Sequence, residues 1–185
     1  MKIAPSTAPR RCFIIGLLLF VSAIPCAMAR DSIEKRGDAL AVLIPAIGLG
    51  STLFYEDGYD GTLQFAKAFA TSQLTTEVLK RVTHKERPNG ACCKSFPSGH
   101  ASAAFMGAAF IHERYGWQYG LPAYVGAAYV GFTRVHSDKH YWVDVGAGAA
   151  IGVVSSFYFT QPYQGFTVTP VADGDTLGIQ VSKRW

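Results

Sequence analysis

"ASAAFMGAAFIHERY", residues 101–115, alternates Ala, Gly and Ser with larger apolar side chains until its last turn. A run of this kind forms a helix whose small side chains let neighbouring helices approach closely, and it is too short of strand punctuation to read otherwise. Four more segments read as helical around it. Residues 38–54 are nearly continuous apolar, 62–83 are mixed and amphipathic, and 121–135 and 140–159 repeat the small-residue pattern. "YEDGYDG" at 55–61, "RPNGACCKSFPSG" at 87–99 and "RYGWQYGLP" at 114–122 separate them, each punctuated by Gly, Pro or Asn. The expectation is an all-α, compact helical bundle forming a single domain over 30–185. Its tail, 161–185, differs: "GFTVTP" and "LGIQVSKRW" alternate like strands around "VADGD", which predicts a short C-terminal β-hairpin.

Composition agrees with tightly packed helices. Of 185 residues, 49% are hydrophobic and only 16% are charged, with 19 Gly. The first 29 residues stand apart. Arg10 and Arg11 precede the apolar run "CFIIGLLLFVSAIPCAMA", which ends in the small-x-small sequence Ala27-Met28-Ala29. That is the pattern of a secretory signal peptide cleaved after Ala29, or, uncleaved, of an anchor helix. Either one exports the remainder, to the periplasm or to the inner membrane with any site facing the periplasm. Cys12 and Cys26 belong to this leader, so only the adjacent pair Cys92-Cys93 remains, and no disulfide framework exists.

Only 38–54 approaches the length a bilayer requires, since charge, His or Pro interrupts the other runs. Were the helices to alternate across a membrane, the acidic loop with Glu56, Asp57 and Asp60 would face the cytoplasm and the basic loop would lie opposite, against the usual charge bias. The expectation is a periplasmic bundle that is soluble or rests on the membrane surface; short polytopic bundles share the pattern, so membrane association is peripheral or integral.

Net charge is +4, and its placement is more telling. Lys80, Arg81, Lys85, Arg87 and Lys94 crowd into 15 residues. Such a cluster attracts nucleic acid, an anionic membrane or a phosphorylated substrate, and no nucleic-acid-binding motif or stacking pattern accompanies it. Lys80 and Arg87 are two helical turns apart before Pro88, so both are expected on one face at the end of the second helix. Together with Arg134, three cations could clamp a tetrahedral dianion.

In "HYWVD", His140 and Asp144 are four apart and share a helix face, so the carboxylate could orient one imidazole nitrogen and free the other. Taken alone, a His/Asp pair at this spacing is more often structural than catalytic. His136, His140 and Asp144 also form an i, i+4, i+8 stripe, with Asp138 nearby, that could ligate a metal. In "FPSGHASAAF", residues 96–105, Ser98 and Gly99 precede a helix whose N-terminus could hold an oxyanion through backbone N–H groups and the Ser98 hydroxyl. His100 then stands beside that anion, placed to give a proton to a leaving group.

The three blocks Lys80-x6-Arg87-Pro88, Pro97-Ser98-Gly99-His100 and Thr133-Arg134-x5-His140-x3-Asp144 resemble, in order and internal spacing, the signature of the type 2 phosphatidic acid phosphatase and vanadium haloperoxidase superfamily. The resemblance implies a helical-bundle hydrolase of phosphate monoesters. His140 would attack phosphorus to give a phosphohistidine, Asp144 would orient it and His100 would protonate the leaving oxygen. Lys80, Arg87, Ser98, Gly99 and Arg134 would hold the phosphoryl oxygens, with no metal and no cofactor required. Thr133 departs from the Ser usual there. Export, apolar helices and a short loop before Pro97 point to a lipid or isoprenoid phosphate or diphosphate. A soluble nonspecific acid phosphatase of the periplasm is the nearest alternative, followed by a vanadium haloperoxidase or a phosphate-binding envelope protein without activity.

Overall fold

The computed structural model describes residues 30–56 and 58–163, together with the backbone of two strands beyond them. The signal-peptide reading of residues 1–29 lies outside the described residues. Among the described residues five helices follow one another: α1 (Arg30–Tyr55), α2 (Asp60–Thr83), α3 (Gly99–Tyr115), α4 (Trp117–His136) and α5 (Trp142–Phe159). The tail forms the expected hairpin, β1 (Phe166–Asp173) paired antiparallel with β2 (Thr176–Lys183), in a register that sets Phe166 against Lys183.

Helix α3, the Ala-rich run, is the hub against which all four other helices pack. Its small side chains are why. Ala101, Ala104, Ala108 and Ala109 are fully buried, and at Gly107 a β-carbon would stand 2.7 Å from the backbone of Pro45 on α1. From α5, Gly148 and Gly152 press on the α3 backbone at Ser98 and Ser102, with no room for a side chain. The larger core residues Phe65, Met106 and Phe110 fill the space between α2 and α3, and Ala41, Ile44, Ala127 and Val130 fill that between α1 and α4. Hydroxyls join helices where apolar contact ends: Ser72 of α2 lies 2.6 Å from Ser102 of α3, and Thr76 donates to the same oxygen at 3.0 Å.

The outer surface is more apolar than the interior is bulky. Val42, Leu53, Phe54, Leu74, Val82 and Val154 are all exposed. Among the described residues two helices are long and apolar enough to cross a membrane, Ser32–Tyr55 with mean hydropathy 1.6 and Trp142–Phe159 with 1.3. The second corrects the expectation that 38–54 alone has that length. Because α5 starts at Trp142, past His140, its 18 residues contain one charged side chain, Asp144.

Two boundaries differ from those expected in ways that matter for the site. α1 begins eight residues earlier than the apolar run, so the polar stretch "RDSIEKRG" is helical and carries Glu34 into the bundle one turn ahead of Asp38. α2 ends at Thr83, where His84 takes the left-handed conformation (φ 44°) and turns the chain out. Arg87 therefore lies in a loop, and helical periodicity is not what brings it near Lys80.

Candidate active site

In this up-and-down arrangement the start of α1, the end of α2, the start of α3, the end of α4 and the start of α5 share one end of the bundle, with loops 84–98 and 137–141 between them. Cross-links fix that end. The Ser98 N–H donates to the Asp144 carbonyl (2.9 Å), the Asn89 N–H to the Asp138 carbonyl (3.1 Å), and the Lys139 and His140 N–H groups both donate to the Arg134 carbonyl (3.0 and 3.2 Å). All three sequence blocks meet here.

His140 is buried in the α4–α5 loop, ahead of the helix rather than on it. Tyr141 is the extended N-cap residue, and its N–H donates to Asp144 Oδ2 at 3.0 Å, so Asp144 caps α5. This changes the expected pairing. The His140 Nδ1 donor meets the Ser95 carbonyl at 2.7 Å, whereas Asp144 Oδ2 is 4.0 Å away. Asp144 instead receives Lys85 Nζ at 2.7 Å and the Ser95 hydroxyl. The carboxylate thus steadies Ser95, and the Ser95 carbonyl steadies the imidazole. With Nδ1–H committed to a carbonyl, the lone pair of neutral His140 is on Nε2. Burial, with the charges of Lys80 and Arg87, pushes the His140 pKa down to about 4, against the opposing pull of the Ser95 carbonyl and Asp144. The ring is neutral and nucleophilic above that pH.

His100 stands in the first turn of α3 with its side chain partly open to solvent. Its Nε2 is 3.0 Å from Asp38 Oδ1, and Arg134 Nη1 is 2.7 Å from that same oxygen. Both are ion-pair contacts outside hydrogen-bond angles. Arg134 is buried, and its Nη2 donates to the Glu34 carbonyl at 2.9 Å. Burial, then Arg134, lowers the His100 pKa below its usual value; Asp38 raises it, and Lys80 and Arg87 lower it further.

Lys80 and Arg87 bear on both imidazoles, and their charge lowers the pKa of each. Lys80 Nζ approaches Gly99 closely: a β-carbon there would be 3.7 Å away. The buried Nε of Arg87 makes no hydrogen bond, so a donor is held ready beside Lys80. Of the donors expected at the α3 N-terminus, the Ser98 N–H is spent on the Asp144 carbonyl, and the Ser98 Oγ accepts from Ala101 N–H at 3.4 Å as an N-cap. The Gly99 N–H remains, at the positive end of the helix dipole.

The basic cluster divides by role. Lys80 and Arg87 reach the site, Lys85 grips Asp144, and Arg81 turns outward to Glu77 (3.1 Å). The Thr133 hydroxyl donates to the Val130 carbonyl at 2.7 Å, faces Gly37 of α1 and accepts from Arg134 Nε at 3.4 Å, so it braces the arginine. The His136, His140, Asp144 metal stripe does not form, since His140 is off the helix and exposed His136 stacks on Phe132. Among the described residues no group of three His, Cys, Asp or Glu could hold a metal ion. Asp38, Lys85 and Ser95 are participants that sequence reasoning missed. Lys85 was visible in the cluster; a backbone carbonyl such as that of Ser95 leaves no signal in residue type.

Known proteins resemble this chain in sequence and in fold. Residues 61–167 match the family described as the PAP2 superfamily, more than half of the chain. The lipid A 4'-phosphatase of Helicobacter pylori is 30% identical over 164 residues, covering 81% of this chain and 82% of that protein. The lipid A 1-phosphatase of Porphyromonas gingivalis is 38% identical over 72 residues, 37% of this chain but 16% of that protein. Among solved structures, the transmembrane PAP2-type phosphatidylglycerolphosphate phosphatase of Bacillus subtilis superposes with a TM-score of 0.56 at 26% identity, covering 83% of this chain and 85% of that one. Aquifex aeolicus LpxE superposes at 0.57 with 17% identity, covering 78% and 92%, a likeness of fold.

Proposed function

The chain belongs to the PAP2 superfamily, and from that premise we propose that it hydrolyses phosphate monoesters of membrane lipids through a phosphohistidine on His140. The observation that carries this reading is that both imidazoles lie within reach of the same two cations, Lys80 and Arg87, at the end of the bundle where Lys80 Nζ meets Gly99. A phosphoryl group held by those cations, Arg134 and the Gly99 N–H has His140 on one side and His100 on the other. The His140 Nε2 lone pair forms the N–P bond as the ester P–O bond breaks, and protonated His100 gives its proton to the departing oxygen. Water then attacks phosphorus with neutral His100 taking its proton, the N–P bond breaks, and phosphate leaves with His140 restored. Fixed cations neutralise the charge that develops at phosphorus.

A membrane-borne substrate fits the apolar exterior and the two helices long enough to cross. The site lies where α1 begins, so export of the segment preceding α1 would put it on the periplasmic face. The basic loops then stand outside, against the usual bias, because Lys80, Lys85, Arg87 and Arg134 serve the site. The experiment is hydrolysis of phosphatidic acid, a lipid A phosphate and para-nitrophenyl phosphate by detergent-purified protein in EDTA, with and without vanadate. Vanadate-sensitive turnover of a lipid phosphate, abolished by His140→Ala, is the expected result. Turnover of para-nitrophenyl phosphate alone favours a nonspecific phosphatase, loss in EDTA a metal enzyme, and inertness on every ester a binding protein.

A further inference from the structure

Asp38 lies outside the three sequence blocks and upstream of the family match, yet α1 carries it into the middle of the site. Its entry is enforced: Gly37 is pressed against Thr133, and a β-carbon there would overlap the Thr133 hydroxyl and stand 3.0 Å from Arg134 Nη2. One carboxylate oxygen, Oδ1, is buried between His100 Nε2 and Arg134 Nη1. The side chain as a whole is 45% exposed, so its remaining atoms face the opening. Asp38 is thus the acidic group beside the proton donor, on the side from which the leaving group departs.

We propose that Asp38 selects the leaving group by charge, admitting esters whose leaving group is a neutral alcohol and disfavouring those whose leaving group is itself a phosphate. This inference rests on the phosphatase reading. A leaving alcohol receives the His100 proton and feels no repulsion from the carboxylate. A leaving phosphate brings negative charge close to Asp38, and the two like charges repel. Asp38 also offsets three cations that act on His100: Arg134 from α4, Lys80 from α2 and Arg87 from the loop. Losing the carboxylate therefore leaves His100 harder to protonate.

The test is kcat/KM of the detergent-purified full chain on farnesyl phosphate, whose leaving group is farnesol, and farnesyl diphosphate, whose leaving group is farnesyl phosphate. The wild type prefers the monophosphate. In Asp38→Asn that preference shrinks about tenfold or more, and the alkaline limb of the pH profile moves to lower pH; Asp38→Glu retains both properties. A monophosphate-to-diphosphate ratio unchanged in Asp38→Asn, with both activities falling in parallel, overturns the proposal and leaves Asp38 a partner of Arg134 only. A wild type inert on both esters overturns the phosphatase reading and this inference with it, whereas a wild type that prefers the diphosphate overturns the inference alone.

Discussion

The two ends of α3, roughly 25 Å apart, are built from the same parts to opposite purposes. Each receives one carboxylate from α1 or the residue just past it, and each sets that carboxylate against an arginine. At the far end Glu56 takes two hydrogen bonds from the Arg114 guanidinium and a third from Tyr115 Oη (2.6 Å), while Arg114 Nη1 donates to the Gln161 carbonyl (2.7 Å) and to Gln64 Oε1 (3.2 Å). The Tyr163 ring covers the guanidinium. Glu56 and Arg114 are 2% and 5% exposed, and every charge-bearing atom is matched. At the near end Asp38 holds Arg134 with one oxygen at poor angles, Arg87 Nε has no hydrogen bond, and His100 stands half open. Saturated pairs clamp the bundle; unsaturated ones leave donors for a ligand.

Substitutions at the two ends should therefore separate activity from stability. The largest effect is expected from His140→Ala, a loss of kcat on the order of ten-thousandfold or more, over about 5 kcal/mol of transition-state stabilisation, with an unchanged melting temperature in detergent. Next is Glu56→Gln at the far end, which strips Arg114 of its counter-charge. It should cost about 3 to 5 kcal/mol of stability, read as a lower melting temperature, while the folded remainder keeps its KM. A fall in kcat without a fall in stability would erase the contrast between the ends.

Smaller effects sharpen the near end. Removing the Ser95 hydroxyl in Ser95→Ala keeps the carbonyl that holds His140 and leaves Asp144 with Lys85 and the Tyr141 N–H. The expected loss in kcat is about tenfold or less, near the value of one hydrogen bond. The pH profile of kcat/KM should be acidic. His140 must be neutral, which holds above its pKa of about 4, and His100 must be protonated, which fails as pH rises through a value below the ordinary 6.5. The acid limb then reports His140 and the alkaline limb His100.

Much of this was legible in the chain because periodicity and spacing record it. The small-residue run 101–115 gave α3 within two residues, and three ordered blocks located both imidazoles, Lys80, Arg87 and Arg134 at one end. What could not be read was contact made through backbone or across long separations. Ser95 holds His140 with a carbonyl that any residue would supply. Asp38, at the head of the expected helix 38–54, meets residues 62 and 96 positions away, contacts that no local pattern records. The spacing of His140 and Asp144 suggested a helical pair, yet the helix begins between them because Asp144 is needed as its cap. Asp144 thus serves three neighbours, Tyr141, Ser95 and Lys85, before it serves His140.

The most direct test of the central claim is to quench turnover of a 32P-labelled phosphate ester by His100→Ala, in which breakdown of the intermediate should be slowed, and map the labelled residue. Acid-labile, base-stable phosphate on His140 is the predicted result. Label found on another side chain, or turnover persisting in His140→Ala, would contradict it.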